Sequence, residues 1–376
     1  MLSVGEDEVT PRTQPASMAD DAARATPRAE PFGTLPDGTV VDRWTLSSGG
    51  ITLRVLSYGG IVQALEAPDR QGRPANIALG FDSLGAYAAS STYFGALVGR
   101  CANRVAGGSF TLDGVTHRLD VNEGEHCLHG GRGGFGTRLW NVQPSGCDIG
   151  TGLRLRHVSP DGDMGFPGEL DVTVDYILTS SREFIIDYRA TTDRPTIVNL
   201  TNHTYFNLAG ENSGSVDGHL LEIAAGRFTP VGEGLIPSGQ IDAVAGTPLD
   251  FRRAKAIGRD VRAGHPQITR AQGFDHNFVL DKGATADPQP AATLHDPGSG
   301  RTMALSTTEP GLQFYSGNFL DGSLAGSSGR VYRQGDGLCL ESQHFPDAPN
   351  QPSFPSVVLR PGQMYRSTTV HAFSAQ

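Results

Sequence analysis

Four polar segments interrupt the strand-like pattern of the chain, and they hold side chains that can transfer protons. They span residues 99–105 (GRCANRV), 128–131 (LHGG), 201–208 (TNHTYFNL) and 340–351 (LESQHFPDAPNQ). The segments contain histidines and a carboxylate, which are the usual proton carriers near neutral pH. Because functional groups concentrate on loops that a rigid scaffold positions, a catalytic or binding site is expected here.

Taken singly, each of these residues also has a structural explanation. A lone histidine in a β protein more often satisfies a hydrogen bond than catalyses a reaction, and Glu341 could be a solvated residue at a strand end. Gly130 and Gly131 could serve a tight turn, because glycine accepts positive φ. The sequence has no HExxH, no P-loop and no GxGxxG after a strand. We therefore expect neither a cofactor nor a metal ion, and the residues alone leave the function open.

The elements that must position these segments follow a period of two. Apolar and polar side chains alternate clearly at 51–58, 152–158, 170–176 and 184–189, as in strands with one buried face. Further strands are predicted at 109–112, 115–119, 220–223, 278–280, 292–295, 302–306, 312–315, 338–341 and 357–359, and 364–373 could close the sheet. The one helical stretch of note is 83–89. With 49 Gly and 24 Pro, which disfavour long helices, the chain is predicted to be all-β, a large antiparallel β-sandwich with few short helices.

Composition and charge exclude several classes of protein. The 376 residues carry a formal net charge of −10, so no nucleic-acid partner is expected. No stretch approaches the roughly 18 apolar residues of a membrane span, so no membrane partner is expected. Cys101, Cys127, Cys147 and Cys339 form no CxxC pair, and we predict reduced, buried thiols.

The first 30 residues differ from the rest. They hold almost no large apolar side chains and no signal-peptide pattern. We predict a disordered leader over 1–30, with Met18 as an alternative start, and a single domain over 31–376. Without a secretory signal, the expected location is the cytoplasm.

Seven segments together resemble the aldose 1-epimerase (galactose mutarotase) family. They are GRCANRVAGGSFTLDG (99–114), CLHGG (127–131), DGDMGFPGEL (161–170), TNHTYFNLAG (201–210), GFDHNFVL (273–280), TTEPGLQFYSGNFL (307–320) and LESQHFPDAPNQPSFPSVVLRPGQMY (340–365). They occur in the family's order and spread over nearly the whole chain after Pro31. The resemblance implies the family's β-supersandwich fold, in agreement with the strand pattern.

The resemblance also implies roles for individual residues. His203 would be the general acid, Glu341 the general base and His129 a helper beside the ring oxygen. The residues implied to bind the sugar are Asn103, Arg104, Asp250 (in TPLDF) and Gln313. His276 is not expected to catalyse, because the acid and the base are already supplied.

The implied reaction interconverts the α and β anomers of aldohexoses such as glucose and galactose. A base removes the proton of the C1 hydroxyl while an acid protonates the ring oxygen, and the opened ring then recloses on either face. The substrate would be a free monosaccharide, and the protein a monomer or weak homodimer. We also expect the charge of Glu341 to raise the pKa of His203, because an opposite charge favours imidazolium.

Three alternatives remain open at this level. A relative could act on a pentose or a sugar phosphate, although a phosphate would need cationic residues. A non-catalytic sugar-binding module would keep the fold but lose Glu341 or His203, and both are present. A glycoside hydrolase would need two carboxyls flanking the scissile bond, for which Glu341 and Asp250 are the only pair we would propose.

Overall fold

The computed structural model describes residues 25–147 and 149–376. These residues form thirty mostly short strands and two six-residue helices, α1 (Leu84–Ala89) and α2 (Pro266–Ala271). The first fifteen strands are β1 (Ala25–Thr34), β2 (Val40–Ser48), β3 (Ile51–Leu56), β4 (Val62–Pro68), β5 (Pro74–Asn76), β6 (Leu97–Val98), β7 (Arg104–Val105), β8 (Ser109–Leu112), β9 (Val115–Arg118), β10 (Cys127–Leu128), β11 (Asn141–Cys147), β12 (Gly150–Ser159), β13 (Leu170–Thr179), β14 (Glu183–Thr192) and β15 (Thr196–Ile197). The other fifteen are β16 (Thr201–Asn202), β17 (Tyr205–Phe206), β18 (Leu220–Ile223), β19 (Arg227–Thr229), β20 (Asp242–Ala243), β21 (Lys255–Ala256), β22 (Asp275–Val279), β23 (Gln289–His295), β24 (Arg301–Thr307), β25 (Gly311–Tyr315), β26 (Asp321–Ala325), β27 (Val331–Arg333), β28 (Leu338–Gln343), β29 (Val358–Leu359) and β30 (Tyr365–Ala375).

Three antiparallel sheets make up most of the molecule. The strand orders are β1-β2-β3-β4-β5, β11-β12-β13-β14-β30-β24-β23-β18-β21 and β17-β28-β25-β22-β19-β20. Strand β2 contacts β12 and β13, and one hydrophobic cluster includes Leu53, Leu155 and Phe314, one residue from each sheet. The prediction of an all-β, antiparallel sandwich with few short helices is confirmed.

Strand β1 moves the boundary of the predicted leader. It begins at Ala25 and pairs with β2, so residues 25–30 of the predicted leader belong to a strand. The remainder of the predicted leader, with Met18, lies outside the described residues. Strand β1 is an edge strand, and edge strands commonly carry charges and proline. The composition of β1, which includes Pro27, Arg28, Glu30 and Pro31, is therefore typical of a disordered segment and also of an edge strand.

The thiol prediction holds where side chains are described. Cys101, Cys127 and Cys339 are buried and free, whereas the side chain of Cys147 lies outside the described part of the structure. Among the described residues, no helix is long and apolar enough to cross a bilayer.

Candidate active site

The four polar segments converge on one cavity of about 330 Å³. Five of the seven predicted site residues line it: Asn103, Arg104, His129, His203 and Glu341. All five are at least nine-tenths buried. Residues more than 200 positions apart in sequence thus meet in a single desolvated pocket.

Two loops are locked together at the first wall of the cavity. The backbone N–H of His129 donates to the carbonyl of Asn103 (2.9 Å), and the N–H of Asn103 donates to Nδ1 of His129 (3.2 Å). Asn103 has φ 59°, a left-handed conformation that asparagine tolerates better than most residues. An amide N–H can only donate, so Nδ1 of His129 is an acceptor and the neutral ring carries its proton on Nε2.

Glycine is required at Gly130, just after His129. Its φ is 87°, and a Cβ there would lie 2.0 Å from the carbonyl oxygen of Gly99. The LHGG motif therefore brings the loop against the chain at Gly99, next to the segment that holds Asn103 and Arg104. The tight turn at Gly130 therefore also helps to build the site.

Alternation along the six-stranded sheet forms the floor of the cavity. Cys339 and Glu341 share one face of β28, and their antiparallel partners on β25 are Tyr315 and Gln313. On β22, Asp275 pairs with Tyr315 and projects to the same face. Leu338, Leu340 and Phe314 point to the other face, where they join the hydrophobic core.

His203 reaches this floor from the loop before β17. Its Nε2 lies 3.6 Å from Oε1 of Glu341, and its Nδ1 lies 3.5 Å from Sγ of Cys339. Tyr93 packs against the rings of His129 and His203, at centroid distances of 4.6 Å and 5.8 Å. The imidazole is therefore held between the carboxylate, a thiol and aromatic rings.

Burial dominates the protonation of the central pair. It lowers the pKa of His203 to about 4, and burial together with the charge of Asp275 raises the pKa of Glu341 well above its usual value. The expectation that Glu341 would raise the pKa of His203 is therefore wrong. Desolvation disfavours imidazolium and carboxylate alike, so burial favours the neutral imidazole and the carboxylic acid.

Arg104 organises the acidic wall. Its guanidinium donates to both oxygens of Glu123 (2.6 and 2.8 Å), and Nη1 lies 3.7 Å from Oδ2 of Asp275. Gln313 donates from Nε2 to Oδ1 of Asp275 (2.6 Å). Gln313, predicted to line the pocket, is not among the residues that line the cavity, but it holds Asp275 in place there.

The structure does not bring Asp250 to the site. It lines a separate surface cleft with Thr247 and Lys255 and is paired with Arg252 at 2.7 Å. Asp250, predicted to bind sugar hydroxyls, therefore does not share the cavity with the other predicted residues. Phe251 of the same TPLDF segment packs against Phe278 and Phe314, on the core face of the six-stranded sheet and opposite the cavity. The carboxylate that lies in the cavity is Asp275.

Asp275 is not among the predicted site residues, although it belongs to the GFDHNFVL segment. Its neighbour His276 is fully buried on the opposite face, where its Nε2 lies 3.1 Å from Oε1 of Gln267. Strand alternation could have identified Asp275, because it must face the same side as Tyr315 and Gln313. Glu123 and Tyr93 also line the cavity, but no motif or strand alternation in the sequence identifies them.

The cluster also meets a geometric condition for binding a metal. Ligand atoms of His129, His203 and Glu341 all lie within 4.8 Å of one another. A metal-binding histidine, however, normally donates its second N–H to an acceptor, whereas Nδ1 of His129 accepts from Asn103. With its proton on Nε2, His129 offers the cavity a donor and no lone pair, which fits a hydrogen-bonded ligand rather than a cation.

Known proteins of one family resemble this chain over most of its length. A family model for aldose 1-epimerase matches residues 42–372. Galactose mutarotase from Sus scrofa is 46% identical over 344 residues, covering 91% of this chain and 97% of that protein. Aldose 1-epimerase from Escherichia coli K12 is 39% identical over 345 residues, with the same two coverages.

Structural comparison gives the same answer. The crystal structure of an aldose epimerase homologue from C. elegans superposes with a TM-score of 0.79 at 31% identity, covering 87% of this chain and 96% of that chain. The match of the family model over most of the chain and the identity to full-length relatives establish that the protein belongs to the aldose 1-epimerase family.

Proposed function

We propose that the protein interconverts the α and β anomers of free aldohexoses, with glucose and galactose as substrates. The observation that carries the proposal is the meeting of Glu341, His203 and His129 in one buried cavity. A carboxylate and two imidazoles within 4.8 Å can exchange protons with two oxygens of a single sugar ring. Membership in the family supports the same chemistry.

In the proposed mechanism, Glu341 removes the proton of the C1 hydroxyl. The C1–O1 bond becomes a carbonyl, the bond between C1 and the ring oxygen breaks, and the ring oxygen takes the Nε2 proton of protonated His203. His129 donates a hydrogen bond from Nε2–H to the same oxygen. The aldehyde then rotates about C1–C2, and reversal of the proton transfers closes the ring on the other face.

The electrostatics of the cavity support this sequence of steps. Ring opening converts a charged pair, imidazolium and carboxylate, into a neutral imidazole and a carboxylic acid. Burial favours that neutral pair, so ring opening does not have to create charge in the buried cavity. Hydroxyls of the bound sugar would supply the hydrogen bonds that the charged pair needs before the reaction.

Arg104, Asn103 and Asp275 are the proposed sugar-binding residues. Arg104 offers fixed donors, and Asp275 offers acceptors that Gln313 and Arg104 hold in place. Arg104 is the one arginine among the residues that line the cavity, which include no lysine, whereas Glu123, Asp275 and Glu341 supply three carboxyls. This balance favours an uncharged sugar over a sugar phosphate.

The test is polarimetry of freshly dissolved α-D-glucose and α-D-galactose with purified protein. We expect faster decay of optical rotation, and Glu341→Gln and His203→Asn should each lose most of this rate. No acceleration on either sugar, with the folded protein, would reject the proposal and redirect attention to pentoses, sugar phosphates or simple binding. Release of a phenol from an aryl glycoside would instead indicate hydrolysis. The pair suggested for hydrolysis, Glu341 and Asp250, does not share a cavity.

We further propose that the protein works in the cytoplasm as a monomer or weak homodimer. Three buried, free thiols support a reducing compartment. Light scattering across a range of concentrations would test the oligomeric state, and a stable tetramer would contradict it.

A further inference from the structure

The thiol of Cys339 occupies a position that the reaction itself does not explain. Cys339 is fully buried and lies two residues before Glu341 on β28, so both side chains project to the cavity side of the sheet. Its Sγ lies 3.5 Å from Nδ1 of His203, while Nε2 of the same ring lies 3.6 Å from Glu341. The imidazole therefore spans two neighbouring positions of one strand face.

A protonated thiol can form a hydrogen bond with Nδ1 of this imidazole whether or not Nδ1 carries a proton. Burial, with the nearby charges of Glu341 and Asp275, raises the pKa of Cys339 well above its usual value, so the sulfur keeps its hydrogen. The S–H group is a weak donor and the sulfur a weak acceptor. It can donate to Nδ1 of the neutral ring and, after rotation about Cβ–Sγ, accept from Nδ1–H.

A carboxylate at this position would behave differently. It would favour imidazolium, and would make His203 a weaker acid towards the ring oxygen. A thiol leaves the ring oriented without adding a charge, which suits a group that must give up a proton and take it back within one turnover.

We propose that Cys339 is a positioning residue whose thiol stays hydrogen-bonded to Nδ1 of His203 and keeps Nε2 aimed at the reacting oxygens in both half-reactions. The inference rests on the proposed role of His203 as the acid. In the free protein the thiol donates, which holds the neutral ring as the Nε2–H tautomer. Sugar binding is accompanied by net transfer of the carboxyl proton of Glu341 to His203, which leaves the base ionised and puts a second imidazole proton on Nδ1. The thiol then rotates, and its sulfur accepts a hydrogen bond from Nδ1–H. Nε2 gives its proton to the ring oxygen and takes it back, while Nδ1 keeps its proton and the thiol proton never leaves the sulfur.

Nitrogen-15 NMR of histidine-labelled protein at neutral pH tests this arrangement directly. The His203 signals are assigned by their loss in His203→Asn. We expect a neutral Nε2–H tautomer in the wild type and in Cys339→Ser, whose hydroxyl can also donate and accept. In Cys339→Ala we expect a mixture of tautomers and a kcat lower by about five- to tenfold, the equivalent of about one neutral hydrogen bond, with KM unchanged.

Cys101→Ala is the matched control, because it removes another buried thiol whose sulfur contacts the carbonyl of Ala102. It should keep the wild-type tautomer and rate. An Nδ1–H tautomer of His203 in the wild-type protein, or a Cys339→Ala protein with wild-type tautomer and kcat, would overturn the proposal. If Cys339→Ala does not fold, the tautomer of His203 in the wild type and in Cys339→Ser still tests the proposal, because both should be Nε2–H. Failure of the proposed function appears separately, as absence of any wild-type rate in polarimetry.

Discussion

The two faces of the six-stranded sheet use the same strands for opposite purposes. One face carries Leu338, Leu340 and Phe314 into the hydrophobic core, and the other carries Glu341 and Asp275 into the cavity. Both faces are buried, so burial alone does not distinguish structure from function. The core face buries apolar area, which stabilises the fold. The cavity face buries ionisable groups, which costs folding free energy and is typical of a functional site.

The largest effect should come from the cavity face. Glu341→Gln removes the proposed base and keeps the shape, so kcat should fall by about 10²–10⁴-fold. Its unfolding free energy should not decrease, because the wild-type carboxyl is buried with a raised pKa and the amide removes an ionisable group from the core. Polarimetry measures kcat and urea denaturation measures the free energy of unfolding. A marked loss of stability in Glu341→Gln would contradict the proposed difference between the two faces.

Its neighbour on the core face should behave in the opposite way. Leu340→Ala deletes a side chain that is only 4% exposed and should lower the unfolding free energy by about 2–5 kcal/mol. At a temperature where the variant remains folded, its kcat should stay close to that of the wild type. Urea denaturation and polarimetry on the same preparation check this, with Glu341→Gln as the reciprocal variant.

A pair of aspartates tests the corrected assignment of the sugar-binding carboxylate. Asp275→Asn removes the charge facing Arg104 and should lower kcat/KM by about 10- to 100-fold, the range for one charged hydrogen bond. Asp250→Asn removes a carboxylate paired with Arg252 at the surface and should leave kcat/KM unchanged. The reverse ranking would restore Asp250 to the site.

The smallest effect concerns stability at acid pH. Burial lowers the pKa of His203 on the cavity side to about 4, and that of His276 on the core face to about 3. In the unfolded chain a histidine has a pKa of about 6.5, so below that pH the unfolded state binds protons that the folded state does not bind. Stability is therefore fully present above about pH 6.5 and declines as the pH falls towards these lowered values. Urea denaturation from pH 7 to pH 4 should show a shallower decline in His276→Asn than in the wild type, and identical slopes would contradict it.

Much of the fold follows from alternation in the sequence. The predicted strand at 220–223 and helix at 83–89 correspond to β18 and α1 (Leu84–Ala89). The order of strands in a sheet is not contained in alternation, however. Residues 364–373 were expected to close the sheet, yet β30 lies at its centre, between β14 and β24, because its partners come from distant parts of the chain.

The candidate site shows the same limit. Motifs identified Glu341, His203 and His129, which the structure brings together. The structure places Asp250 in a separate cleft, because the resemblance of a segment does not say which face of a sheet it packs against. Sequence also could not give the pKa of His203, since that depends on desolvation by Tyr205, Tyr315 and other rings packed around it.

The central position of β30 has a consequence for synthesis on the ribosome. Its backbone joins β14 (Glu183–Thr192) to β24 (Arg301–Thr307), so the nine-stranded sheet remains two separate pieces until residue 375 has left the exit tunnel. Until then each piece exposes an unpaired strand edge, the kind of surface that attracts other nascent chains. Chaperone capture should therefore be strongest after β24 has emerged from the ribosome and before β30 (Tyr365–Ala375) can pair.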